Sequence, residues 1–275
     1  MFQTVSIALV TVIENNTDNI NSNNGHFDEQ RLYFDEALLC FKSWRKNGGS
    51  LSGITIYAIC PSKNTLSASE QLQLKELNVE YIEEYMPETE TFEFGFYNVP
   101  LAMAWAEKNL KEDLFIHTDL DMTLIKPLDD TVFNAALGGK IICGQYDEIA
   151  VKDQRKSDES WGLPFDTGFM INLRKLNFYE EYNNQMMELL NTDNDINPYD
   201  IEEYIIDRMY NTDFDKFTIS PIQKYQIGEG YPNISEFSDE DLKSVYFWHE
   251  HILNKEKDSI IKQRVTYSKR MRAIN

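Results

Sequence analysis

At 275 residues, with 42% hydrophobic and 13% aromatic side chains, the chain can bury a sizeable core without disulfide staples and is too apolar to be a disordered polymer. Its formal net charge of −20 repels phosphate backbones and anionic headgroups, which argues against nucleic acid or a membrane surface as the main partner. An anionic substrate would need a local positive charge here, and a bound cation is the simplest source of one.

Residues 5–13 are β-branched and short, which predicts a buried first strand, and the Asn-rich residues 15–24 predict a loop after it. That apolar run is too short to cross a bilayer and has neither a basic leader nor a cleavage site, so no membrane span and a cytoplasmic location are expected. Phe34, Ala37, Leu38, Phe41 and Trp44 recur at helical spacing, and Gly48-Gly49 supplies a stop. Residues 54–60 predict a second strand, 69–77 a helix and 79–82 a third strand. Residues 100–108 predict a helix with Pro100 near its first turn, and 114–118 a strand.

Further strands are expected at residues 141–143, 168–173 and 245–249, further helices at 179–190 and 201–210, and a basic tail from Lys255 to Arg272. Cys40, Cys60 and Cys143 each sit in an apolar run, which predicts reduced core thiols rather than a disulfide framework. Strands alternating with helices imply right-handed βαβ units, a largely parallel sheet and ligands at the carboxyl ends of its strands. No repeat or long linker divides the chain, so one α/β domain over residues 1–275 is expected. Residues 1–128 would form a regular first half and 129–275 a more irregular second half.

The Asp-x-Asp spacing occurs four times, at Asp119/Asp121, Asp193/Asp195, Asp213/Asp215 and Asp239/Asp241. Only Asp119 and Asp121 directly follow an apolar strand, and in an extended backbone residues i and i+2 share a face. Two convergent carboxylates repel each other unless a cation sits between them. Mg²⁺ or Mn²⁺ accepts such hard oxygens and shares its shell with substrate phosphates. The pair therefore points to a metal diphosphate, with a solvated acidic turn as the bland alternative.

With these motifs the sequence resembles glycosyltransferases of the GT-A fold, closest to family 8. The resemblance rests on Tyr97-Asn98-Val99-Pro100-Leu101-Ala102, on Leu114-Phe115-Ile116-His117-Thr118-Asp119-Leu120-Asp121, on Lys126-Pro127-Leu128 and on Asp166-Thr167-Gly168-Phe169-Met170-Ile171-Asn172-Leu173. It implies an α/β/α sandwich around a mostly parallel mixed sheet and transfer of a sugar from a UDP- or GDP-sugar to a glycan or other hydroxyl acceptor. Asp119 and Asp121 would hold the ion with His249, or with His251 as the competing choice. Thr11, Glu14, Asn98 and Leu120 would line the nucleotide, and Asp166, Thr167 and Gly168 the donor sugar. Asp200, Glu202 or Glu203 would supply the acid that meets sugar or acceptor, with Asp166 a further catalytic candidate; Glu202-Glu203 stands where family 8 members show an Asp-Gln pair. The basic tail would fold over the diphosphate, or simply be a solvated end.

Two rivals remain. Asp119-Leu120-Asp121-Met122-Thr123-Leu124 also resembles the nucleophile motif of haloacid dehalogenase-type phosphohydrolases, although that motif normally opens its fold. The other is a carbohydrate-binding protein that does not turn over.

Overall fold

The computed structural model of the chain describes residues 5–14, 30–87, 98–145, 165–192, 201–221, 226–228 and 245–249. The Asn-rich loop, Asp200, His251 and the basic tail lie outside them.

The strands β1 (Ile7–Val12), β2 (Thr55–Cys60), β3 (Val79–Glu83) and β4 (Leu114–Thr118) arise where the sequence is β-branched or apolar. Between them run the helices α1 (Gln30–Asn47), α2 (Ala68–Glu76) and α3 (Asn98–Asn109). At the end of α1, Gly48 is required: a Cβ there would sit 2.4 Å from the Trp44 carbonyl oxygen. The start of α2 is a capping box, with Ser67 and Glu70 each satisfying the other's backbone N–H. Pro100 falls in the first turn of α3, where its missing N–H costs nothing.

The second half adds β5 (Met122–Leu124), α4 (Asp130–Leu137), β6 (Ile141–Gln145), β7 (Phe165–Leu173), α5 (Phe178–Thr192), α6 (Ile201–Thr212), β8 (Phe217–Pro221), β9 (Gln226–Gly228) and β10 (Phe247–His249). Seven strands form one sheet in the order β3-β2-β1-β4-β7-β6-β8, and β5-β10-β9 form a second. Every pairing in the large sheet is parallel except those of β7, which runs antiparallel to both β4 and β6. The sheet is thus mixed and mostly parallel, as expected.

Strand alternation divides the core between the two faces of the sheet. Leu9, Ile56, Ala58, Leu114, Ile116 and Ile171 pack with α1, α2 and α4 on one face. Ala8, Val10, Tyr57, Ile59, Phe115 and Met170 pack with α3, α5 and α6 on the other. This is an α/β/α sandwich. Cys40, Cys60 and Cys143 are free buried thiols, and burial pushes the Cys40 thiol up to about 12. No helix among the described residues is long and apolar enough to cross a membrane.

The chain order places a switch point between β1 and β4: from β1 the chain moves outward through β2 to β3, then returns to β4 on the other side. In open α/β sheets, ligands settle in the crevice outside such a point. The Thr11 hydroxyl donates to the Thr118 carbonyl at 2.8 Å across that seam.

Candidate metal centre

Asp119, Leu120 and Asp121 join β4 to β5. They do not continue an extended strand, contrary to the expected i, i+2 geometry: β4 ends at Thr118. The Met122 N–H donates to the Asp119 carbonyl at 3.2 Å, closing a tight turn. The carboxylates nevertheless converge through this turn, each offering an oxygen within 4.8 Å of the other. Leu120 packs against the core and anchors the turn from below. At the competing pair, by contrast, Asp213 meets Lys216 at 3.0 Å beside an exposed Asp215.

His249 arrives from the far end of the described chain. Strand β10 pairs antiparallel with β5, with His249 opposite Met122. Phe247, fully buried two residues earlier, packs its ring 4.7 Å from Phe169 and 6.1 Å from Trp44. The neighbouring Tyr246 is clamped by its hydroxyl, which donates to Asp129, and by the Lys126 ammonium 4.5 Å over its ring. The His249 Nε2 then lies 3.2 Å from Asp121 Oδ1 and 4.0 Å from Asp119 Oδ2. One ligand atom from each of Asp119, Asp121 and His249 falls within 4.8 Å of the others.

Burial alone would lower the His249 pKa, but the carboxylates of Asp121, Asp166 and Asp119 outweigh it and raise it to about 9. The pocket thus carries surplus negative charge at a buried imidazole. Asp166 contributes because β7 runs antiparallel, which puts its amino end beside the carboxyl end of β4. A bulge there lets β7 step from Met170 to Asp166 while β6 advances only from Cys143 to Gly144. The Gly168 N–H donates to Asp166 Oδ1 at 2.7 Å, and the Gly168 carbonyl accepts from the Asp119 N–H at 2.9 Å.

Gly168 is the floor of the centre. A Cβ at this position would stand 2.9 Å from Asp119 Oδ2, 3.0 Å from Asp166 Oδ1 and 3.2 Å from His249 Cε1. Its backbone needs no glycine for conformational reasons, so the residue's smallness serves the space above it.

No known protein family's model matches the chain, and no curated protein matches it.

The remaining sequence candidates fall at several distances from this centre. Thr11 is buried and its hydroxyl proton is engaged with Thr118. Glu14, just past β1, accepts from Asn98 Nδ2 at 3.0 Å and 2.9 Å through its two oxygens. Burial raises the Glu14 pKa, and hydrogen bonds from Ser62 and Asn98 oppose the rise. Thr167 is half-buried within β7. Glu202 and Glu203 belong to the first turn of α6.

His117 also lines the centre, and no motif in the sequence singles it out. His117 Nε2 lies 3.5 Å from Asp119 Oδ1. Its position two residues before Asp119, at the end of the strand, is the signal that could have found it.

Proposed function

We propose that the protein is a metal-dependent glycosyltransferase that moves a hexosyl group from a UDP- or GDP-sugar to a hydroxyl acceptor such as a glycan. The observation that carries this reading is the convergence of Asp119, Asp121 and His249 beside the switch point of a mostly parallel sheet.

The donor set suits Mn²⁺ or Mg²⁺: two carboxylates and one imidazole meet above a glycine whose missing Cβ lets Asp119 and His249 approach. When bound, such an ion neutralises the charge that develops on a departing diphosphate. The surplus negative charge that raises the pKa of His249 is what a divalent ion would offset.

Glu14, held by Asn98 and Ser62 at the carboxyl end of β1, is suited to accept hydrogen bonds from a ribose or base. Asp166 and Gly168, beside Asp119, would line the transferred sugar. An acid among Asp200, Glu202 and Glu203 would deprotonate the acceptor or orient the donor. The buried free thiols support a reducing, cytoplasmic setting.

A panel of nucleoside diphosphate sugars tested by thermal shift with Mn²⁺, followed by assay of slow donor hydrolysis, checks this reading. A donor that raises the melting temperature only with the ion, and is hydrolysed, supports it. Binding without hydrolysis would leave a carbohydrate-binding protein. Hydrolysis of simple phosphate esters in place of donors would favour the phosphohydrolase.

A further inference from the structure

One buried nitrogen beside the metal centre has no role in the reading above. His117 is 2% exposed, and its Nδ1 lies 3.1 Å from the Val10 carbonyl oxygen across the β1–β4 pairing. A carbonyl can only accept, so Nδ1 carries a hydrogen there and Nε2 is the ring nitrogen left to face the centre. That Nε2 is buried and has no hydrogen-bond partner among the described residues. Asp119 Oδ1 faces it from 3.5 Å.

With Nδ1 committed to Val10, the buried Nε2 and Asp119 Oδ1 face one another at a separation that a cation between them would span. An imidazole that gives one N–H to a backbone carbonyl and bares its other nitrogen is also the usual posture of a metal-ligating histidine. An ion about 2.1 Å from each atom would subtend an angle of roughly 110°, as in a four-coordinate shell. His117 stands outside the group formed by Asp119, Asp121 and His249. Asp119 turns Oδ1 to His117 and Oδ2 toward His249, 4.0 Å away.

We propose that Asp119 bridges two cation positions, one shared with Asp121 and His249 and a second shared with His117 Nε2. Water completes the second shell. This rests on the reading of Asp119 as a cation ligand, but not on any nucleotide or sugar. Because imidazole favours the later first-row ions, the second position should prefer Co²⁺ or Zn²⁺ to Mg²⁺.

The test counts Co²⁺ per chain by elemental analysis after equilibrium dialysis of the full protein, with the visible spectrum of the ion as a second readout. The wild type should hold two ions, His117→Ala one, Asp121→Asn one and Asp119→Ala none. Mg²⁺ should displace the ion lost in His117→Ala least readily. One ion in the wild type, or two retained in His117→Ala, overturns the bridge while leaving the three-residue centre intact. No ion in the wild type overturns both. The wild-type count decides the matter even if a variant fails to fold.

Discussion

His249 Nε2 lies 3.2 Å from Asp121 Oδ1, across the pairing of β10 with β5. The contact joins a turn in the middle of the chain to a strand near its end, so the centre exists only when the small sheet has assembled. Replacing Asp121 by Asn keeps the shape of the side chain and removes one ligand charge. Asp121→Asn should lower Mn²⁺ affinity by a factor of about 100 or more and abolish donor turnover. Folding should persist, although the metal-free variant loses the contact between Asp121 and the protonated His249 and should melt a little lower at neutral pH. Circular dichroism and Mn²⁺ titration check this together; undiminished Mn²⁺ affinity in a folded variant would contradict the assignment of Asp121.

The same contact would make metal binding depend on pH. In the metal-free protein the His249 pKa stands at about 9, above the ordinary value of 6.5, because neighbouring carboxylates outweigh burial. Nε2 must lose its proton before it can ligate. Apparent Mn²⁺ affinity should therefore rise by about tenfold per pH unit through neutrality and level off near pH 9. The linked stability has the opposite sense. A pKa raised on folding contributes stability that is complete below 6.5 and lost as pH rises through 9. Chelator-treated protein should thus melt lower as pH increases across that window, and Asp121→Asn should flatten the slope. An affinity independent of pH from 6.5 to 9 would sink the role of His249.

Gly168 gives a prediction that separates site from scaffold. A methyl group there meets Asp119 Oδ2, Asp166 Oδ1 and His249 Cε1 at 2.9, 3.0 and 3.2 Å. The carboxylates can swing only by leaving the positions in which they converge. Gly168→Ala should cost about 1–3 kcal/mol of stability through overpacking, and more than tenfold in Mn²⁺ affinity. Calorimetric titration beside thermal unfolding measures both. Unchanged metal affinity would show that the floor is not tightly fitted.

Much of this architecture was legible in the sequence for identifiable reasons. Strands β1, β2 and β4 are apolar runs buried almost throughout, and α1 shows its apolar stripe in Phe34, Phe41 and Trp44. Asp119 and Asp121 stood out among four similar pairs because an apolar strand precedes them. The turn between them was not legible, because the Met122-to-Asp119 hydrogen bond leaves no mark in residue type. Nor were β5 and β9, three residues each, or α4 and β8, whose short segments owe their form to partners distant in the chain. The reversed direction of β7 is a property of topology. Without it, Asp166 and Gly168 would lie at the opposite edge of the sheet from Asp119.

A last prediction concerns the support behind the sheet. Glu107, on α3, is buried, and its two oxygens accept from Asn172 Nδ2 at 2.9 Å and from the Glu180 N–H at 3.0 Å in the first turn of α5. The positive end of that helix favours a carboxylate, but burial dominates and raises the Glu107 pKa to about 7 from 4.5. A carboxyl whose pKa rises on folding contributes stability that is fully present below 4.5 and lost as pH climbs through 7. Glu107→Gln keeps one acceptor oxygen and removes the titration. The variant should be less stable than wild type at pH 4.5, where a protonated Glu107 fits its neighbours better, and should gain on it by the order of 3 kcal/mol above pH 7. Urea unfolding of both proteins at a series of pH values measures that difference. Parallel stability curves would mean that Glu107 is ionised in folded and unfolded chains alike, and that helix α5 holds its charge without cost.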